Sequence, residues 1–230
     1  MSDPVDQLAA TPAQPPPAMS SALEHELAAL TPVTTRRPVR QLVLLVIVSL
    51  AYAAGVVALL ALRRDLSELP ISWLVGAALA WLLGFVLPAY VAIVPDLGSM
   101  IPRRQLAIAA SVTASIALIS LGLLIHPSGP SSVQLPAAKL AHGHGCLELG
   151  IVSAIVPAVL GAVLLRRTIP HGARWIAAAL GAASGSLGGL VLHLHCHITD
   201  PLHVGVIHGG VVLVGAALSA LVVPRCIDVR

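Results

Sequence analysis

Two short runs hold most of the side chains able to do chemistry: His142-Gly-His144-Gly-Cys146 and His193-Leu-His195-Cys196-His197. Imidazole and thiolate are soft or borderline ligands, so His142, His144, His193, His195 and His197 beside the two thiols suit zinc or copper. On a helix His193 and His197 would share a face, and His195 would join them only if the helix had already ended. Cys146 and Cys196 offer two other chemistries: a disulfide that staples their segments, or free thiols whose neighbouring imidazoles favour the thiolate. The plainest alternative is a set of polar rings that crowd a water interface and bind nothing. Glu148 and Asp200 lie close to the two runs in sequence, and His126, His203 and His208 fall at the same side of the chain's apolar blocks.

The elements that must position these residues follow from composition. Of 230 residues, 57% are hydrophobic and only 10% charged, and the mean hydropathy is +0.93. A soluble domain averages about 25% charged residues, so a chain this apolar needs lipid as part of its solvent. Soluble enzyme, disordered hub and nucleic-acid-binding domain are excluded for the chain as a whole. The excess of thirteen Lys and Arg over ten Asp and Glu contains no basic block able to track phosphates, so direct contact with nucleic acid is not expected.

Hydropathy divides the chain into a tail over 1–41, an apolar region over 42–223 and a short C-terminus over 224–230. Within the apolar region six blocks, 42–62, 71–94, 106–125, 147–165, 175–195 and 202–223, each approach the ~20 residues a helix needs to cross a bilayer. Period-two alternation is missing, so the spans are helices and the fold class is all-α, a six-helix transmembrane bundle. Pro88 and Pro157 fall inside blocks and should kink them. With the N-terminus inside, ten cations fall on the inner side and only Arg63, Arg64 and Lys139 on the outer, which places both termini in the cytoplasm. The histidines and the pair Cys146 and Cys196 then lie toward the outer side, and Cys226 on the inner. Gly181, Gly185 and Gly189 recur every four residues in the fifth block, a spacing for close helix approach, with Gly205, Gly209 and Gly210 expected to face them from the sixth.

One stretch of the tail looks foldable, from Ser21 to Leu30. Ser21 and Glu24 have capping-box spacing, and Leu23, Leu27 and Leu30 form an apolar stripe on one helical face. Such a segment is too short to be stable alone in water, and gains order by laying its stripe into a partner's groove. An interfacial helix on the inner leaflet is the competing reading, weakened by Glu24 and Glu26 where anionic lipid would attract Lys or Arg. Nucleophile elbow, phosphate-cradling glycine loop and paired intramembrane carboxylates are all missing, so no enzyme is expected.

Together these parts resemble the membrane-embedded anti-sigma factors of the negative-regulator-of-sigma-F type. Three stretches carry the likeness. They are Leu27-Ala28-Ala29-Leu30-Thr31-Pro32-Val33 with Arg36, Arg37 and Arg40, then Gly145-Cys146-Leu147, then Leu194-His195-Cys196 with Asp200-Pro201-Leu202 and Gly209. Within that type the chain is similar to the light-response variant that controls carotenogenesis, and it departs from the type in its many extra histidines around the cysteines. The resemblance implies a bacterial inner-membrane regulator. Its tail, through Leu23, Glu24, Leu27 and Leu30, would sequester an extracytoplasmic-function sigma factor. Cys146 and Cys196 would act as the switch that answers light or singlet oxygen, an oxidant or a metal. No cofactor is required on that view. The different class left standing is a metal-binding membrane protein or permease that uses the same cluster as its entry site.

Overall fold

In lipid every backbone N–H and C=O must be satisfied within its own segment, and the apolar blocks accordingly form helices. The computed structural model describes residues 20–29, 37–95, 101–125, 127, 143–166 and 172–227. The chain falls into two units, Met1–Arg36 and Arg37–Arg230.

The first unit holds helix α1, Ser21–Ala29. Its cap is Ser20 rather than the expected Ser21: the Ser20 Oγ accepts the Leu23 N–H at 3.3 Å, and the Ser20 carbonyl accepts the Glu24 N–H at 3.0 Å. That register moves Glu24 one position past the place a capping box requires, so the Ser21–Glu24 box does not form. Leu23 is exposed, and Leu30 lies outside the described residues.

The second unit is a bundle of six spans: α2 (Pro38–Leu60), α3 (Ile71–Ile93), α4 (Arg103–Leu124), α5 (Gly143–Leu165), α6 (Ala173–His195) and a last span that opens with a π-helical turn, His203–His208, and continues as α7 (Gly209–Ile227). All six are long and apolar enough to cross a membrane, and among the described residues there is no strand. Pro38 starts α2 at a position where a missing N–H costs nothing. Pro88 and Pro157 sit inside α3 and α5, which run on as continuous helices through both. Six crossings return the chain to the side from which it entered. At that end the Arg103 guanidinium donates to the carbonyls of Val91 and Ala92 at the close of α3, and Arg104 stacks over Trp175.

Helix α6 is the axis of the bundle. It is 94% buried across its span, whereas the other five spans are about one-quarter to one-third buried and present Leu, Val and Ile outward. Its small residues permit this, because a side chain on α6 would meet backbone on several sides. A Cβ on Gly185 would lie 2.6 Å from the Val211 carbonyl oxygen and 2.7 Å from the Val212 Cα, one on Gly181 would collide with the Gly215 carbonyl, and one on Gly189 with the Trp81 ring. The expected close pairing of the fifth and sixth spans is therefore present, with different partners. Gly205 and Gly209 pack instead on Ile119 and Leu123 of α4, and Gly210 has nothing within 4 Å. The turn of the last span that carries Gly205 is π-helical, which rotates these glycines away from the face an α-helix would give them. Gly185→Ala is expected to lower stability by about 1–3 kcal/mol, since two helix backbones must part to admit the methyl. Gly210→Ala should be neutral or gain up to about 1 kcal/mol from helix propensity. Thermal unfolding of the purified variants in detergent separates the two, and equal midpoints would disprove the packing.

Candidate functional site

At the end of the bundle opposite Arg103 and Arg104, the 61–70 connection, the start of α5, the close of α6 and the π turn converge. Cys196 ends α6: its N–H is donated to the Leu192 carbonyl at 2.7 Å, its backbone then turns extended, and the thiol is buried. Cys146 lies in the first turn of α5, half-buried, and its Sγ stands 3.8 Å from that of Cys196. A disulfide requires about 2.05 Å, so these are two free thiols in contact.

The segment beyond Cys196 builds the other half of the cluster. Asp200 caps the next helix, its Oδ1 accepting the N–H of Leu202 at 2.9 Å and of His203 at 3.3 Å, with Pro201 at the first helical position. From His203 the chain takes i→i+5 turns. On an α-helix residues five apart diverge by roughly 140°; the wider π turn brings them onto one face. His203 and His208 thus present their rings together, edge to face with centroids 5.0 Å apart, each only 1% exposed. The His203 Nε2 stands 3.6 Å from Cys196 Sγ. One ligand atom from each of Cys146, Cys196, His203 and His208 falls within 4.8 Å of the other three. His203 Nδ1 and both ring nitrogens of His208 have no hydrogen-bond partner among the described residues.

The histidines expected as ligands are placed elsewhere. His193 is buried, its Nε2 donates to the Leu74 carbonyl at 3.1 Å, and its ring tilts against Trp73. His195 donates from Nδ1 to the Ala61 carbonyl at 2.9 Å. His197 and His144 are exposed, and His142 lies outside the described residues. Because α6 ends at His195, His193 and His197 do not share a helical face.

His193 and His195 hold the 61–70 connection instead. Arg63, 4% exposed, donates its backbone N–H to Leu194 O, its Nη1 to the His193 carbonyl, and Nε and Nη2 to the two oxygens of Asp65 at 2.7 and 2.8 Å; its guanidinium also lies over the Trp73 ring. The hydrogen bonds from Arg63 hold the Asp65 carboxyl below its ordinary value. Beside this clamp, a cleft of about 960 Å³ is lined by Asp65, Glu68, Cys146, His195, Cys196 and His197, and gives water a route to the thiols.

Chemically, two touching thiols beside two buried imidazoles can lose protons, form a disulfide or bind a soft ion. His203 and His208, which complete this cluster, are not among the histidines that the sequence singles out as ligands. Their signal was the five-residue spacing immediately after an Asp-Pro helix start.

Fold and cluster together define a multi-span membrane protein with a dithiol and imidazole cluster buried at one end. More particularly, the chain belongs to the negative regulator of sigma F family, which it matches over residues 27–228. It is accordingly a negative regulator of a sigma factor in an integral-membrane form. No curated protein and no solved structure matches it significantly.

Proposed function

We propose that the protein holds an extracytoplasmic-function sigma factor at the inner face of the bacterial inner membrane, and releases it when a stress signal alters the Cys146 and Cys196 cluster on the outer side. The family match carries this reading. The arginines gathered at the end where the chain enters and leaves the bundle support a cytoplasmic placement of both termini, which puts the cluster outside. The tail supports the grip. It forms its own compact unit, and its short helix exposes Leu23. Of the four proposed contact residues, Leu27 and Leu30 fall within the family match, Leu23 extends their helical stripe, and Glu24 adds a charge beside it.

The signal reaches the tail only if it binds or modifies holding and releasing states differently. A cluster drawn from α5, the end of α6 and the π turn supports such a role, because a change in thiol bonding would alter how these elements are tied together. The test is sigma-factor recruitment to membranes carrying the full-length protein. Replacing Leu23, Leu27 and Leu30 together by Ser should move the sigma factor to the soluble fraction, a loss of at least tenfold in membrane-bound material. Unchanged recruitment would refute the tail as the grip.

A further inference from the structure

The four side chains of the cluster are arranged as the ligands of a metal ion. We propose that Cys146, Cys196, His203 and His208 bind one zinc ion. A tetrahedral zinc with bonds of about 2.3 Å to sulfur and about 2.05 Å to nitrogen has edges of about 3.8 Å between sulfurs and about 3.6 Å between sulfur and nitrogen. The measured separations are 3.8 Å for Cys146 Sγ to Cys196 Sγ and 3.6 Å for Cys196 Sγ to His203 Nε2. All four ligand atoms lie within 4.8 Å of one another, so small side-chain rotations close the remaining edges.

The unpartnered nitrogens point to the same conclusion. Buried polar atoms are nearly always hydrogen-bonded, and leaving one bare is costly because its lost hydration is not replaced. Three such atoms belong to His203 and His208, each ring 1% exposed, and a zinc–nitrogen bond would satisfy one on His208 directly. Charge also balances. Zinc binding expels the two thiol protons to water in the adjoining cleft, and two thiolates with two neutral imidazoles around a divalent cation sum to zero. A neutral complex is the form a largely buried site tolerates. Two sulfurs and two nitrogens at tetrahedral spacing favour zinc over the oxygen-preferring calcium and magnesium. Four protein ligands leave no open position, the pattern of a structural ion rather than a catalytic one. An ion here would tie α5, the end of α6 and the last span at a single point.

Any part the ion plays in sigma-factor release rests on the reading above; the ligand set does not. The experiment uses the full-length protein purified in detergent, stripped with chelator and titrated with zinc alone or cobalt alone. One zinc per chain is expected. Cobalt should give the intense visible bands of a tetrahedral ion together with thiolate charge-transfer absorption in the near ultraviolet. His203→Ala and His208→Ala should each weaken zinc binding at least tenfold, and Cys146→Ser should diminish the charge-transfer band. His144→Ala with His197→Ala should leave affinity unchanged. Absence of a stoichiometric cobalt spectrum from the unaltered protein would overturn the proposal without recourse to any variant. So would a site that survives loss of His203 and His208 and fails on loss of His144 and His197. Loss of zinc binding with sigma recruitment intact would remove the ion and spare the anti-sigma reading, while the reverse result would spare the ion alone.

Discussion

Cells carrying Cys146→Ser with Cys196→Ser are expected to keep the sigma factor on the membrane and to stop releasing it on stress. The two sulfurs are 3.8 Å apart, so a small shift suffices to join them, and any reagent that oxidises, alkylates or bridges one meets the other. Serine preserves the approximate volume and removes both the thiolate nucleophile and the soft ligand. The grip itself is proposed to lie in the tail, a separate unit, so basal repression should hold. Transcription from a sigma-dependent promoter, followed with and without oxidant, metal or light, reads this directly; induction should fall at least tenfold toward the uninduced level. Normal induction in the double variant would show that the signal enters elsewhere. Constitutive expression would show instead that the thiols are needed to hold the repressing state.

Removal of Arg63 should have the largest effect on stability. The side chain is almost wholly buried, and Arg63→Ala takes a donor from the His193 carbonyl, uncovers the Trp73 ring and leaves Asp65 without its bidentate partner. Losing one member of such a set costs about 3 kcal/mol. Lysine would restore charge without the planar two-point contact, so Arg63→Lys should recover only part of the loss. The Arg63 backbone is bonded to Leu194, two residues before Cys196, so loosening this clamp should also speed alkylation of the Cys196 thiol. An unchanged midpoint with an unchanged labelling rate would mean the clamp contributes nothing. The pH dependence has a definite sign. Asp65 is held below its ordinary value in the folded protein, so its contribution is complete at neutral pH. It is lost only as pH falls below the ordinary aspartate value of about 3.9 and through the folded one. The Arg63 contribution to the unfolding midpoint should therefore be flat from pH 7 to about 5 and shrink under stronger acid.

How much of this was legible in the residues depends on which force wrote it. The spans were legible because lipid imposes one rule on every backbone group: the block 71–94 became Ile71–Ile93, and 175–195 became Ala173–His195. Helix starts ran early, at Pro38 rather than 42 and at Arg103 rather than 106, because helical geometry continues through polar residues that hydropathy counts as outside. The contact between Cys146 and Cys196 was foreseeable from two thiols at the ends of neighbouring spans. The choice among histidines was not. His193 and His195 each found a backbone carbonyl, Leu74 and Ala61, on segments more than a hundred residues away, and no local pattern announces such a partner. His203 and His208 were not paired as ligands, because residues five apart share a face only where the chain takes a π turn, which hydropathy does not announce. The glycines erred for the same reason, since Gly205 and Gly209 inherit their direction from that turn.

Burial of α6 also constrains how the protein is made. A segment of glycine, alanine and serine has the weakest claim on lipid of the six spans, yet it ends with almost no lipid contact. Emerging from the ribosome after four greasier neighbours, it should linger at the translocon until those neighbours and the last span can sheathe it. Biogenesis would then finish in one late docking event, and a truncated chain that ends after residue 195 should be cleared by membrane proteases even though five of its six spans are complete.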